Sequence, residues 1–144
     1  MTVRGRAALA LGSAARWASR VSGRGAGAMI GGLLAMKLDH SVLRQLGAGR
    51  RTVVVTGTNG KSTTTRMVTA ALGTLGGTAR VATNGEGANM DAGLVAALAA
   101  DRDAALAALE VDEMHVPHVA DAVEPSVVVL LNLSRDQLDR VGEI

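Results

Sequence analysis

Val53-Val54-Val55-Thr56-Gly57-Thr58-Asn59-Gly60-Lys61-Ser62-Thr63 joins three signals whose order decides the fold. The β-branched run Thr52 to Val55 has the composition of a buried strand. Gly57 and Gly60 follow, and glycine tolerates backbone angles that a Cβ resists. Lys61-Ser62-Thr63 then opens a helical pattern, expected over Ser62 to Leu75 and ended by Gly76-Gly77. Strand, glycine turn and helix in this order make a phosphate-binding loop. Backbone N–H groups converge on anionic oxygens there, and the helix N-terminus adds partial positive charge. Lys61 supplies a full charge to the outer phosphates of ATP, and the Ser62 hydroxyl is placed to ligate Mg2+. The expected ATP-binding residues are Gly57, Thr58, Asn59, Gly60, Lys61, Ser62 and Thr63. The general P-loop pattern has an earlier glycine where this chain has Val55.

Downstream, strands and helices alternate. Ala79 to Thr83, Leu106 to Val111 and Ser126 to Leu131 read as strands, the last strongly hydrophobic. Met90 to Ala100 reads as a helix, and His115 to Val123 as a short one with Pro117 near its first turn. The alternation predicts an α/β fold, a P-loop-type, mostly parallel sheet with helices on both faces. Residues 51–144 are expected to be the front part of an ATP-binding domain, because no closing helix follows the fourth strand.

Upstream, the rhythm is different. Leu9, Ala10, Ala14, Trp17 and Val21 lie at helical spacing within a helix expected over 6–21. Ser22 to Gly32 is glycine-rich and predicts an interruption. A second helical patch is expected over Leu33 to Leu46, with a cap at Asp39 or Ser41. Gly47-Ala48-Gly49 marks a boundary, so residues 1–50 are expected to form a helical N-terminal segment.

Composition narrows the function. Hydrophobic residues make up 48% of the chain and charged residues 19%, which suits a globular protein. A single Trp with no Phe or Tyr leaves almost nothing for stacking on bases, which argues against nucleic-acid binding. No cysteine is present, so neither a disulfide nor a thiolate zinc site exists in these residues, as suits a cytoplasmic location. Arg4, Arg6, Arg16, Arg20 and Arg24 precede the first acid, Asp39. That block solvates a helix or touches an anionic membrane surface. The apolar run from Ala7 to Leu11 is short for a secretory core, and a span needs about 20 apolar residues.

A P-loop enzyme needs an acid near its magnesium. Glu110, in Leu109-Glu110-Val111-Asp112-Glu113, ends the third strand at the sheet edge where ligands bind, with Asp112 and Glu113 as substitutes. Glu110 and Lys61 are the expected catalytic residues, and Ser62 and Glu110 the expected metal ligands. His115 and His118 lie near these acids and suggest a transition-metal site, but no further ligand sits at a suitable spacing. His40 reads as a surface residue. Asn132 to Arg140 follows the fourth strand at the same edge, with Ser134 or Asn132 as a helix cap. Leu133 and Arg135 stand where a GTPase would carry its guanine-reading residues.

Three blocks together, Thr56 to Thr63, Leu109-Glu110-Val111 and Asn132 to Arg140, resemble the ATP-binding central domain of the Mur ligase family. That family includes the folylpolyglutamate synthases. Gly23 to Gly32, Thr83-Asn84, Gly87 to Met90, Glu110 to Glu113 and Asn132 to Gln137 resemble the branch that amidates the glutamate of lipid II in peptidoglycan synthesis. The resemblance covers nearly all of this chain but only about the first third of a family member.

The resemblance implies that ATP phosphorylates a carboxylate and that an amine or ammonia attacks the acyl phosphate. It implies ammonia from a GatD-like glutaminase subunit and a lipid II substrate at the inner membrane face. It places Asn84 and Asn89 on the substrate side. Many members carry His where this chain has Gln137, which puts a second magnesium in doubt. The competing expectations are a truncated or non-catalytic ATP-binding module, another Mur ligase or folylpolyglutamate synthase relative, and a different P-loop enzyme.

Overall fold

The computed structural model describes residues 2–21, 27–75, 79–84 and 88–134. Gly76, Gly77, Gly87 and the stretch 135–140, Gln137 included, lie outside the described residues, as do Arg24 and the side chains of Arg16, Trp17 and Arg20.

Three helices lead the chain: α1 (Val3–Val21), α2 (Gly27–Leu38) and α3 (Val42–Gly47). Strand β1 (Arg51–Thr56) then enters α4 (Lys61–Gly73), followed by β2 (Val81–Thr83) and α5 (Asp91–Ala100). Strand β3 (Leu106–Glu110) leads through a 3-10 turn, Glu113–His115, into α6 (Val116–Val123) and β4 (Val127–Leu130). Among the described residues the sheet has four strands in the order β2-β3-β1-β4, and every pairing is parallel. The expected α/β architecture is therefore the observed one.

β1 occupies an inner position because its side chains are apolar on both faces. Val54 and Val55 are fully buried. Val54, Ala82, Ala107 and Leu109 join one core with Leu94, Val95 and Leu98 of α5 and Val119 and Val123 of α6. Helix α4 packs against β1, β2 and β3 from the other face. Leu9 of α1, Ala35 of α2, and Val42, Leu43 and Leu46 of α3 belong to the same core, so it crosses the composition boundary at residue 50.

α1 ends at Val21, where the glycine-rich stretch begins as expected, but α2 starts already at Gly27, inside that stretch. Its small residues allow close backbone approach: a Cβ on Gly32 would lie 2.0 Å from the Ala92 carbonyl oxygen of α5. The single helix expected over 33–46 is in fact two, α2 and α3. Asp39 makes the break. Its Oδ1 accepts from the Ser41 amide at 2.9 Å and hydroxyl at 2.6 Å, and its Oδ2 accepts from Gln45 Nε2 at 2.8 Å. The local Asx-type bonds compete with helix continuation. Donation by Ser41 first, then by Gln45 and Thr2, holds the Asp39 carboxyl below its ordinary range.

The hydrophobic β4 forms as a strand and stands at the sheet's edge among the described residues, with Val127 50%, Val128 42% and Leu130 75% exposed.

Candidate functional site

At the C-terminal edge of the sheet, β1 turns into the loop Gly57–Gly60. Gly57 sits at φ +137° and Gly60, the N-cap of α4, at φ +87°, both in the region that favours glycine. A Cβ on Gly57 would lie 2.9 Å from the amide nitrogen and carbonyl oxygen of Asn132. Contact with Asn132 explains this tightness. The Thr58 amide donates to the Asn132 carbonyl at 2.7 Å, and the Asn59 amide donates to Asn132 Oδ1 at 3.1 Å. Asn132 Nδ2 donates back to the Asn59 carbonyl at 3.0 Å. Thr58 Oγ1 accepts from the Ser134 amide at 3.0 Å. Asn132 thus braces the loop from the segment after β4, in addition to lying at the expected edge.

Lys61 opens α4 and is 8% exposed. Its ammonium donates to the carbonyls of Gly57 at 2.5 Å and Thr58 at 3.3 Å. Glu113 Oε2 lies 3.5 Å from Nζ, an ion pair with loose geometry. Both Glu113 carboxylate oxygens are buried without a hydrogen-bond donor. Glu113 is therefore the counter-ion of Lys61. The acid-rich sequence flagged it only as a stand-in for Glu110, because nothing local shows that the 3-10 turn carries it back over the loop.

Glu110 ends β3 with 3% exposure, and its Oε2 is buried with no partner. The backbone around it is fixed by Asn84, itself 5% exposed. Asn84 Oδ1 accepts from the Glu110 amide at 2.8 Å. Its Nδ2 donates to the Glu110 carbonyl at 2.7 Å and to the Ala88 carbonyl at 2.9 Å. The side-chain amide of Asn84 thus holds the end of β3 and the backbone at Ala88. Asn89 is half-buried, and its carbonyl accepts from the Asp112 amide at 3.1 Å.

Thr58, Asn59, Gly60, Lys61, Ser62, Thr63, Asn89 and Glu110 line one open cleft of about 330 Å3. Apart from Gly57, at the root of the loop, and Asn84, behind Glu110, every expected site residue borders it. The cleft combines the donors of a helix N-terminus, a lysine ammonium, a serine hydroxyl and a buried carboxylate oxygen left without a donor. Such an oxygen needs a proton or a cation, and a hard cation between Ser62 and Glu110 fits the oxygen donors present.

Asn84→Ala is expected to lower stability by about 2–3 kcal/mol, since it strands the Glu110 amide and carbonyl in the interior. A thermal melt followed by circular dichroism should show a fall of roughly 5–10 °C.

Residues 55–144 match the family model of the Mur ligase middle domain. The chain belongs to the Mur ligase family. Among Mur ligase relatives, the lipid II isoglutaminyl synthase (glutamine-hydrolyzing) subunit MurT of Streptococcus pneumoniae is 37% identical over 124 residues, 83% of this chain and 27% of that protein. MurT of Staphylococcus aureus is 39% identical over 140 residues, 95% of this chain and 31% of its own length. The UDP-N-acetylmuramate–L-alanine ligase of Mycobacterium tuberculosis is 36% identical over 111 residues, 74% of this chain and 20% of that enzyme. The chain therefore spans less than a third of the length of these Mur ligase relatives.

Proposed function

We propose that this chain is the ATP-binding part of a carboxylate–amine ligase acting in peptidoglycan synthesis, and that the complete protein amidates the glutamate of lipid II as a MurT-type subunit. The observation that carries the reading is the cleft, lined both by the loop residues at the α4 N-terminus and by Glu110, one of whose carboxylate oxygens is buried without a partner. The MurT relatives, similar over 83–95% of this chain, support the choice of branch.

In this reading the amides of Gly60 to Thr63 at the α4 N-terminus hold the triphosphate, while those of Thr58 and Asn59 stay on Asn132. Lys61 leaves the Gly57 and Thr58 carbonyls, and its charge offsets the negative charge on the transferring phosphoryl group. Ser62 and Glu110 would hold Mg2+, which screens phosphate charge when bound. The substrate carboxylate takes the γ-phosphoryl group to form an acyl phosphate and release ADP. Ammonia then attacks the acyl carbon, the phosphate leaves, and the amide forms. The ammonia comes from a GatD-like glutaminase partner. Among the described residues no helix is long and apolar enough to cross a membrane. Arg4 and Arg6 are exposed. They suit peripheral contact with the inner face of the cytoplasmic membrane, where lipid II is met, and the protein works from the cytoplasm.

The test is the complete protein supplied with ATP, Mg2+, lipid II, glutamine and the glutaminase subunit. Mass spectrometry should find lipid II lighter by about one mass unit, the signature of carboxylate to carboxamide, with one ADP per product. ATP binding in calorimetry with no amidated product would leave a nucleotide-binding module and sink the ligase reading.

A further inference from the structure

A second cluster lies beside the cleft but outside it. Asp91 opens α5, His115 closes the 3-10 turn and His118 sits in the first turn of α6. His115 Nδ1 lies 2.9 Å from Asp91 Oδ1. His118 Nε2 lies 2.8 Å from Oδ1 and 2.9 Å from Oδ2 of the same carboxylate. One ligating atom from each residue falls within a 4.8 Å group. The spacing of the histidines in sequence offers two ligands; the fold brings in the third from 24 residues upstream of His115.

We propose that Asp91, His115 and His118 form a site for a divalent first-row transition metal, Zn2+ foremost. Two imidazoles and one carboxylate are a borderline donor set that suits Zn2+ and its neighbours better than Mg2+. Neighbouring ligands around tetrahedral Zn2+ lie about 3.3 Å apart, given bonds of about 2.0 Å. The present nitrogen–oxygen separations need to open by only a few tenths of an ångström. Partial exposure of the side chains, 22% for Asp91, 26% for His115 and 50% for His118, leaves a path for the ion and room for water as fourth ligand. Coordination places the lone pair of His115 on Nδ1 and that of His118 on Nε2, so the ring protons reside on the opposite nitrogens.

The site joins two segments that border the nucleotide cleft. Asn89, two residues before Asp91, lines the cleft, and its carbonyl accepts from the Asp112 amide. Glu113, two residues before His115, pairs with Lys61. A bound ion would fasten these segments together at their outer ends.

The full chain, stripped of metal with a chelator, is titrated with Co2+ and then Zn2+. One equivalent of Co2+ should give the visible d–d absorption of a four- or five-coordinate ion, and one equivalent of Zn2+ should abolish it. The chain has three histidines, and exposed His40 serves as an internal control. In NMR spectra of the wild-type chain, Zn2+ should shift the rings of His115 and His118 and leave His40 unchanged. His118→Ala and Asp91→Asn should each weaken Co2+ binding more than about tenfold, since each removes a ligand or its charge. Absence of the d–d band, equal shifts at His40, or unchanged affinity in the folded double variant His115→Ala/His118→Ala would overturn the site.

Discussion

Lys61→Ala in the complete protein is expected to cut ATP-dependent turnover by about 100- to 1000-fold, the cost of losing a charge aimed at the transferring group. The structure adds a second consequence. Lys61 is the cation beside the buried Glu113 carboxylate, and its ammonium also serves the Gly57 and Thr58 carbonyls. Removing it leaves Glu113 buried without a counter-charge, which lowers stability or forces Glu113 to take a proton. The two effects separate in the double variant Lys61→Ala/Glu113→Gln. Its melting temperature should recover toward wild type, while turnover stays at the level of the single variant. Turnover that returned together with stability would show that Lys61 acts through folding alone.

Gly57→Ala is the second large effect. At φ +137° a Cβ is strained before any contact is counted, at a cost of about 1–3 kcal/mol. The new methyl would also meet the Asn132 backbone at 2.9 Å, and backbone yields poorly. The loop must then move away from Asn132 and lose the bonds to Thr58 and Asn59. Calorimetry should find ATP affinity reduced at least about tenfold with a lower melting temperature, since misplaced amides no longer converge on the phosphates. Gly60→Ala makes a useful contrast. Its φ of +87° is also left-handed, but the nearest atom to a Cβ there is the flexible Leu131 side chain at 3.7 Å. The loss of affinity should be smaller there than at Gly57.

The strand, glycine turn and helix around Lys61 were legible because their signals are local. Three valines, two glycines and Lys61-Ser62 are neighbours in the chain, and β1, the turn and α4 form where that string puts them. Alternation after residue 51 was legible for the same reason, and so was Glu110 at the end of β3. What remained hidden depends on distant partners. The break between α2 and α3 needs Gln45 and Thr2 to complete the bonding of Asp39. The edge position of β4 among the described residues follows from strand order, which a hydrophobic run of residues cannot express. The bonds of Asn84 to the Glu110 backbone could not be read from sequence either, because that partner lies 26 residues away on β3. Asp91 was invisible as a partner for the histidines because only the fold brings the first residue of α5 to the start of α6.

The brace on the phosphate loop spans 73 residues of sequence, from Asn59 to Asn132. During synthesis the loop and α4 are made first, and the side chain that fastens them has not yet been translated. At about 5–20 residues per second, roughly 4 to 15 seconds pass before Asn132 is joined to the chain. Until Asn132 has also left the ribosome, the loop has neither its brace nor the β4 partner of β1. A nascent chain at that stage can hold secondary structure in α4 without offering an assembled nucleotide site. The loop is fastened only when residues 127–132 reach the sheet.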